Sequence, residues 1–214
     1  MKNKTQEILN TLFQRYPKLE KSRNEIMDAF EILLKSYENN GKLLVCGNGG
    51  SAADSLHIVG ELMKGFELKR PLSPELAADF ENLEDGKYLK EHLQMTLPAI
   101  SLVNESGLTT AVANDMAGEM IFAQQVLGYG LPGDVFLGIS TSGNSKNVVY
   151  AAEVAKVRGM KVLGLTGASG GKLKKLCDSC ICVDETETFK VQELHLPVYH
   201  ALCLALEFEI FGEE

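Results

Sequence analysis

Short apolar runs alternate with apolar residues at helical spacing along most of this chain, and that alternation predicts its fold. Five runs read as strands: Lys42 to Cys46, Pro98 to Val103, Asp134 to Ile139, Lys161 to Thr166 and Ser179 to Val183. Each is short and almost wholly apolar, as strands covered on both faces are. Between and after them, apolar residues every three or four positions predict helices. These cover Ala52 to Phe66, Gly107 to Gly128 with a break at Asn114-Asp115, Ser145 to Arg158, Lys172 to Leu176, and roughly Lys190 to Phe211. Strand and helix in alternation imply an α/β fold built on a five-stranded parallel, doubly wound sheet with right-handed crossovers. Pro197 is expected to kink or interrupt the last helix.

Two regions stand outside this rhythm. Ile8, Leu9, Leu12 and Phe13, then Ile26, Ala29, Phe30, Leu33 and Leu34, predict an N-terminal helical hairpin over residues 1–40, divided at Pro17. Asn39-Asn40-Gly41 closes it with residues that tolerate a left-handed turn. The segment Lys69 to Thr96 carries Pro71, Pro74 and a charged stretch from Asp79 to Lys87. It reads as a surface insertion over 69–96, either solvated decoration or a lid or interface element. At 214 residues, the chain suits one domain over 1–214.

Composition narrows the function. A net charge of −8, no Trp and no Lys/Arg-rich block argue against a nucleic-acid partner. The N-terminus lacks an apolar signal core, and no apolar run approaches the roughly 20 residues of a membrane span. A cytoplasmic protein with no membrane partner is expected. Cys46, Cys177, Cys180, Cys182 and Cys203 are odd in number, which disfavours a disulfide framework. Cys177 and Cys180 have Cys-x-x-Cys spacing but no second pair to complete a structural zinc site, so reduced thiols in or near the core are expected.

The candidate chemistry lies in two turns where strands hand over to helices. One is Cys46-Gly47-Asn48-Gly49-Gly50-Ser51; the other is Ser140-Thr141-Ser142-Gly143-Asn144-Ser145. Backbone N–H groups and hydroxyls at a positive helix end accept an anion. Gly47-x-Gly49 fails as a dinucleotide fingerprint because Ala52 stands where the third glycine belongs. Thr166 to Leu173 fails as a nucleotide loop because Thr166 replaces its first glycine and Leu173 its magnesium-binding hydroxyl. A small phosphorylated ligand fits better than a nucleotide.

His57 and Glu61, four residues apart, share one face of the helix that leaves the first turn. An isolated pair of this kind is ordinarily a surface contact. Here it sits roughly 9–15 Å along the axis from the proposed phosphate site, within reach of the far end of a sugar phosphate. His200 lies among Leu196, Val198, Tyr199, Ala201 and Leu202 and needs a partner, structural or catalytic; His195 suits a packed core position.

Together the two turns, the His57/Glu61 pair and the run Gln192-Glu193-Leu194-His195 through His200 resemble the sugar isomerase (SIS) domain. More narrowly, they are similar to the phosphoheptose isomerases, which convert sedoheptulose 7-phosphate to D-glycero-D-manno-heptose 7-phosphate. The resemblance implies an enediol mechanism with Glu61 as the base moving a proton between C1 and C2, and His200 handling the hydroxyl and carbonyl protons. It implies phosphate contacts at Ser51, Ser140, Thr141, Ser142 and Ser145, and further substrate contacts at Asn48, Gly49, Gly50, Asn114, Asp115 and Gln192. Some members hold zinc with the residues matching His57, Glu61, Gln192 and His200, and members are homotetramers. Two positions depart from the pattern: the family arginine falls at Gly65, beside Lys64, and a polar residue falls at Phe189. The alternative is a non-catalytic SIS tetramer that binds a protein partner such as a replication-initiation factor. That relative lacks the final histidine, so His200 favours the enzyme.

Overall fold

The computed structural model describes residues 1–213. Helices α1 (Asn3–Arg15) and α2 (Arg23–Glu38), joined by a 3-10 helix over Pro17–Ser22, precede β1 (Leu43–Cys46) and α3 (Gly50–Leu62). Two short helices, α4 (Pro74–Asp79) and α5 (Gly86–His92), lead to β2 (Ala99–Ser101), α6 (Ser106–Asp115) and α7 (Ile121–Tyr129). Then come β3 (Val135–Ser140), α8 (Lys146–Val157), β4 (Lys161–Thr166), β5 (Ser179–Cys182) and α9 (Thr188–Phe211). All five expected strands form within a residue or two of their expected bounds. The predicted helix at Lys172 to Leu176 is only one 3-10 turn, Leu173–Lys175.

The strands make one parallel sheet in the order β2-β1-β3-β4-β5. Side chains alternate across it. Leu43, Val45, Val135 and Leu137 join the core packed under α1, α2, α3 and α9, while Leu44, Cys46 and Phe136 face α7 and α8. The chain winds from β1 to β2 on one side and then returns to place β3 on the other. β1 and β3 therefore flank the switch point, where ligands of such sheets sit beyond the strand carboxyl ends. Both serine turns leave the sheet there.

α2 closes as expected, with Asn40 left-handed at φ 58°. Helix α9 corrects two expectations. It runs unbroken through Pro197, whose ring removes only the bond to the Glu193 carbonyl while α1, α2 and α3 pack along the helix and hold it. It is also, by length and composition, long and apolar enough to cross a membrane, although no unbroken apolar run suggested it. In this structure it is a core helix that buries His195 and Glu207.

Candidate active site

The first turn reverses at Gly49, whose φ of 57° favours a residue without a side chain. The second reverses at Gly143, with φ 65°, where a Cβ would collide with the Gly170 carbonyl. Asn48 and Asn147 bridge the two turns by reciprocal amide bonds of 3.0 and 2.9 Å. Asn147 escaped the sequence reading; the signal was an amide in the first turn of a helix leaving a serine turn. Ser140 and Ser145 hydroxyls meet at 3.0 Å, and Ser142 Oγ accepts the Asn144 N–H at 3.1 Å. The Thr141 carbonyl accepts the Gly167 N–H. Ser51 is buried at the start of α3, and Gln192 lies against Gly50, where an added Cβ would stand 2.6 Å from its Nε2. Asn114 and Asp115 are exposed at the end of α6 and bond each other at 2.7 Å; no hydrogen bond among the described residues links them to either turn.

Helices α3 and α9 run side by side in the same direction, because Gln192 lies by Gly50, His200 by His57, and Glu207 by Phe66. His57 Nε2 stands 3.3 Å from Glu61 Oε1 and 3.4 Å from His200 Nε2. Glu61 Oε2 accepts from Lys64 Nζ at 2.8 Å. The Phe66 and His57 rings pack edge-on against His200 at centroid distances of 5.5 and 4.9 Å. Burial pushes the His200 imidazole below its usual pKa and His57 adds to this, with Glu61 opposing, which favours a neutral ring.

Tetrahedral ligands at zinc–nitrogen distances of roughly 2.0–2.1 Å stand about 3.3 Å apart. The two approaches to His57 therefore have the spacing of zinc ligands. The set is open: Glu61 and His200 each approach His57 but not each other, and among the described residues no three His, Cys, Asp or Glu side chains close into a metal cage. Gln192, expected in the set, lies eight residues before His200 on an unbroken helix, roughly 12 Å away along the axis. One copy of the chain cannot bring both to one ion.

Comparison with known proteins decides the family. The SIS domain profile matches residues 9–92 and 87–167. The phosphoheptose isomerase of Aneurinibacillus thermoaerophilus is 39% identical over 178 residues, covering 83% of this chain and 78% of that protein. That of Rhodospirillum rubrum is 41% identical over 182 residues, covering 85% and 84%. The solved phosphoheptose isomerase of Neisseria gonorrhoeae superposes with a TM-score of 0.73 at 32% identity, covering 92% of this chain and 94% of that one. The chain belongs to the phosphoheptose isomerase family of SIS domains.

Against the family pattern, the cation beside Glu61 is Lys64, and Phe189 is exposed where a polar residue was expected. A larger surprise is an ion pair that the sequence reading did not foresee. Arg70, in the segment expected to lie on the surface, is 1% exposed. Its guanidinium donates to Glu207 Oε1 at 2.8 Å and to the carbonyls of Leu62 and Glu61 at 2.7 and 3.3 Å. Glu207 also accepts the N–H groups of Phe66, Glu67 and Leu68 at 2.7, 2.8 and 3.1 Å. Burial raises the Glu207 carboxyl, but these donors outweigh it and hold it below the usual range. The clasp satisfies orphan carbonyls at the end of α3 and fastens that helix to α9. The signal in the sequence was a lone carboxylate within the apolar stretch Leu202 to Phe208, which demands a buried partner.

His195 is fully buried, and among the described residues neither ring nitrogen has a partner in good hydrogen-bond geometry, the Thr166 backbone being only a weak neighbour. Burial drives its pKa from 6.5 to about 4, with the Thr166 backbone opposing. The unfolded chain therefore takes up this proton first, and stability is lost as pH falls below 6.5. Between pH 6.5 and 5, above the carboxylate range, the expected loss is about 2 kcal/mol. Urea unfolding across that window checks this, with His195→Gln expected to flatten the slope. A wild type of constant stability there would contradict it.

Proposed function

We propose that the chain interconverts sedoheptulose 7-phosphate and D-glycero-D-manno-heptose 7-phosphate through an enediol. One observation carries this reading: Glu61 and His200 converge on His57, two to three turns along the helix that starts at the first serine turn. The phosphate binds across the turns at Ser51, Ser140, Thr141, Ser142 and Ser145, with Asn48 and Asn147 holding the turns in register. The reacting carbons then extend along α3. Glu61 moves the proton between C1 and C2, its Oε2 steadied by Lys64. His200, kept neutral by burial, passes protons between the two sugar oxygens.

His57, Glu61 and His200 are the residues that would hold zinc. Bound there, it would polarise the sugar carbonyl. Gln192, as a fourth ligand, would have to come from a second copy of the chain, in keeping with the shared sites of the homotetramer that the resemblance implies. The same reading places the enzyme in the cytoplasm, with no nucleic-acid or membrane partner. The non-catalytic SIS alternative leaves the convergence of Glu61 and His200 without a use.

Ser142→Ala is expected to weaken binding of the phosphorylated sugar by about 1–3 kcal/mol and to leave unphosphorylated sedoheptulose almost unaffected. Calorimetric titration with both sugars is the test. Equal losses for the two would mean that the second turn does not hold the phosphate.

A further inference from the structure

Behind His57 lies a polar pair that the reaction as described does not use. Asp54 precedes His57 by about one helical turn on α3, and Tyr199 adjoins His200 on α9. Tyr199 is 3% exposed, and its hydroxyl donates to Asp54 Oδ1 at 3.2 Å. The same hydroxyl stands 3.1 Å from His57 Nδ1, with the two rings edge-on at 5.5 Å. Among the described residues the second oxygen of Asp54 is buried without a partner, so no other donor among them competes for it.

A phenol carries one proton. With that proton directed at Asp54, the Tyr199 oxygen can only accept from His57, so the imidazole proton belongs on Nδ1. His57 Nε2 is then a bare lone pair, facing Glu61 Oε1 at 3.3 Å and, at 3.4 Å, His200 Nε2. Two acceptors at that separation repel each other unless a proton or a cation lies between them.

We propose that Asp54 and Tyr199 are positioning residues that lock His57 in its Nδ1–H tautomer, so that its Nε2, with Glu61 and His200, forms a receptor for a divalent cation. The lock follows from the hydrogen-bond geometry alone; the cation rests on the zinc reading above. A carboxylate behind a ligating histidine fixes the ring and raises its basicity, and losing such a partner typically costs roughly 10- to 100-fold in metal affinity.

Two readouts test the lock in the full-length protein, with Tyr199→Phe and Asp54→Asn as variants and thermal melting to show that each folds. Nitrogen-15 NMR of the metal-free protein, at a pH where the imidazoles are neutral, reports the His57 tautomer. Competition with a chromophoric chelator reports zinc affinity. The expected result is an Nδ1–H tautomer in wild type, a shift toward Nε2–H in both variants, and roughly 10- to 100-fold weaker zinc binding in both. An Nε2–H tautomer in wild type, or variants that keep both the wild-type tautomer and affinity, would overturn the lock. Wild-type protein with the Nδ1–H tautomer that binds no zinc would uphold the lock and refute the cation.

Discussion

Glu61→Gln is expected to lower turnover of sedoheptulose 7-phosphate by roughly 100- to 10,000-fold while KM and folding stay near wild type. Glutamine keeps the shape of the side chain but cannot take a proton from carbon. The lowered pKa of His200 suits it to oxygen protons, which are far more acidic than a C–H. The proposed phosphate site lies two to three turns away in the serine turns, which is why KM should hold. Steady-state kinetics with thermal melting of the same preparation checks both halves. A Glu61→Gln enzyme within a few-fold of wild type would remove this carboxylate from the chemistry.

Glu207→Ala is expected to cost about 3–5 kcal/mol of stability, the range for breaking one side of a buried ion pair. The truncation leaves the Arg70 guanidinium charged and enclosed, and strips three backbone N–H groups of their acceptor. It also frees the Arg70 contacts to the carbonyls of Glu61 and Leu62, so the end of α3 that carries Glu61 should loosen. The double change Arg70→Met with Glu207→Leu, which removes both charges and keeps apolar bulk, should lose less than Glu207→Ala alone. Urea unfolding at neutral pH measures all three proteins. A Glu207→Ala loss under about 1 kcal/mol would show that water satisfies the clasp and that it is not buried in solution.

What the sequence made legible was whatever depends on near neighbours in the chain. The strands declared themselves because full burial on both faces forces short apolar runs, and the serine turns because a left-handed Gly49 or Gly143 has few substitutes. Glu61 and His200 came through resemblance, and α3 and α9 do bring them to one place. Other features depend on residues far apart meeting. Arg70 looked like a surface cation because its partner Glu207 is 137 positions away, and Asp54, Tyr199 and Asn147 looked ordinary for the same reason. Pro197 misled because local propensity counts the lost hydrogen bond but not the helices packed along α9. Gln192 was grouped with His57 by resemblance, whereas an unbroken α9 carries it to the opposite end of α3.

The central claim is that Glu61 carries a proton between the carbons of a phosphorylated ketose. The most direct test is isomerisation of sedoheptulose 7-phosphate in deuterated water, followed by NMR of the aldose product. The account predicts heptose 7-phosphate from the wild-type enzyme, with deuterium at C2 in the fraction of turnovers in which the proton on Glu61 exchanges with solvent, and almost no product from Glu61→Gln. Product formed by Glu61→Gln at a near-wild-type rate, or no product from the wild-type protein with or without added zinc, would contradict it.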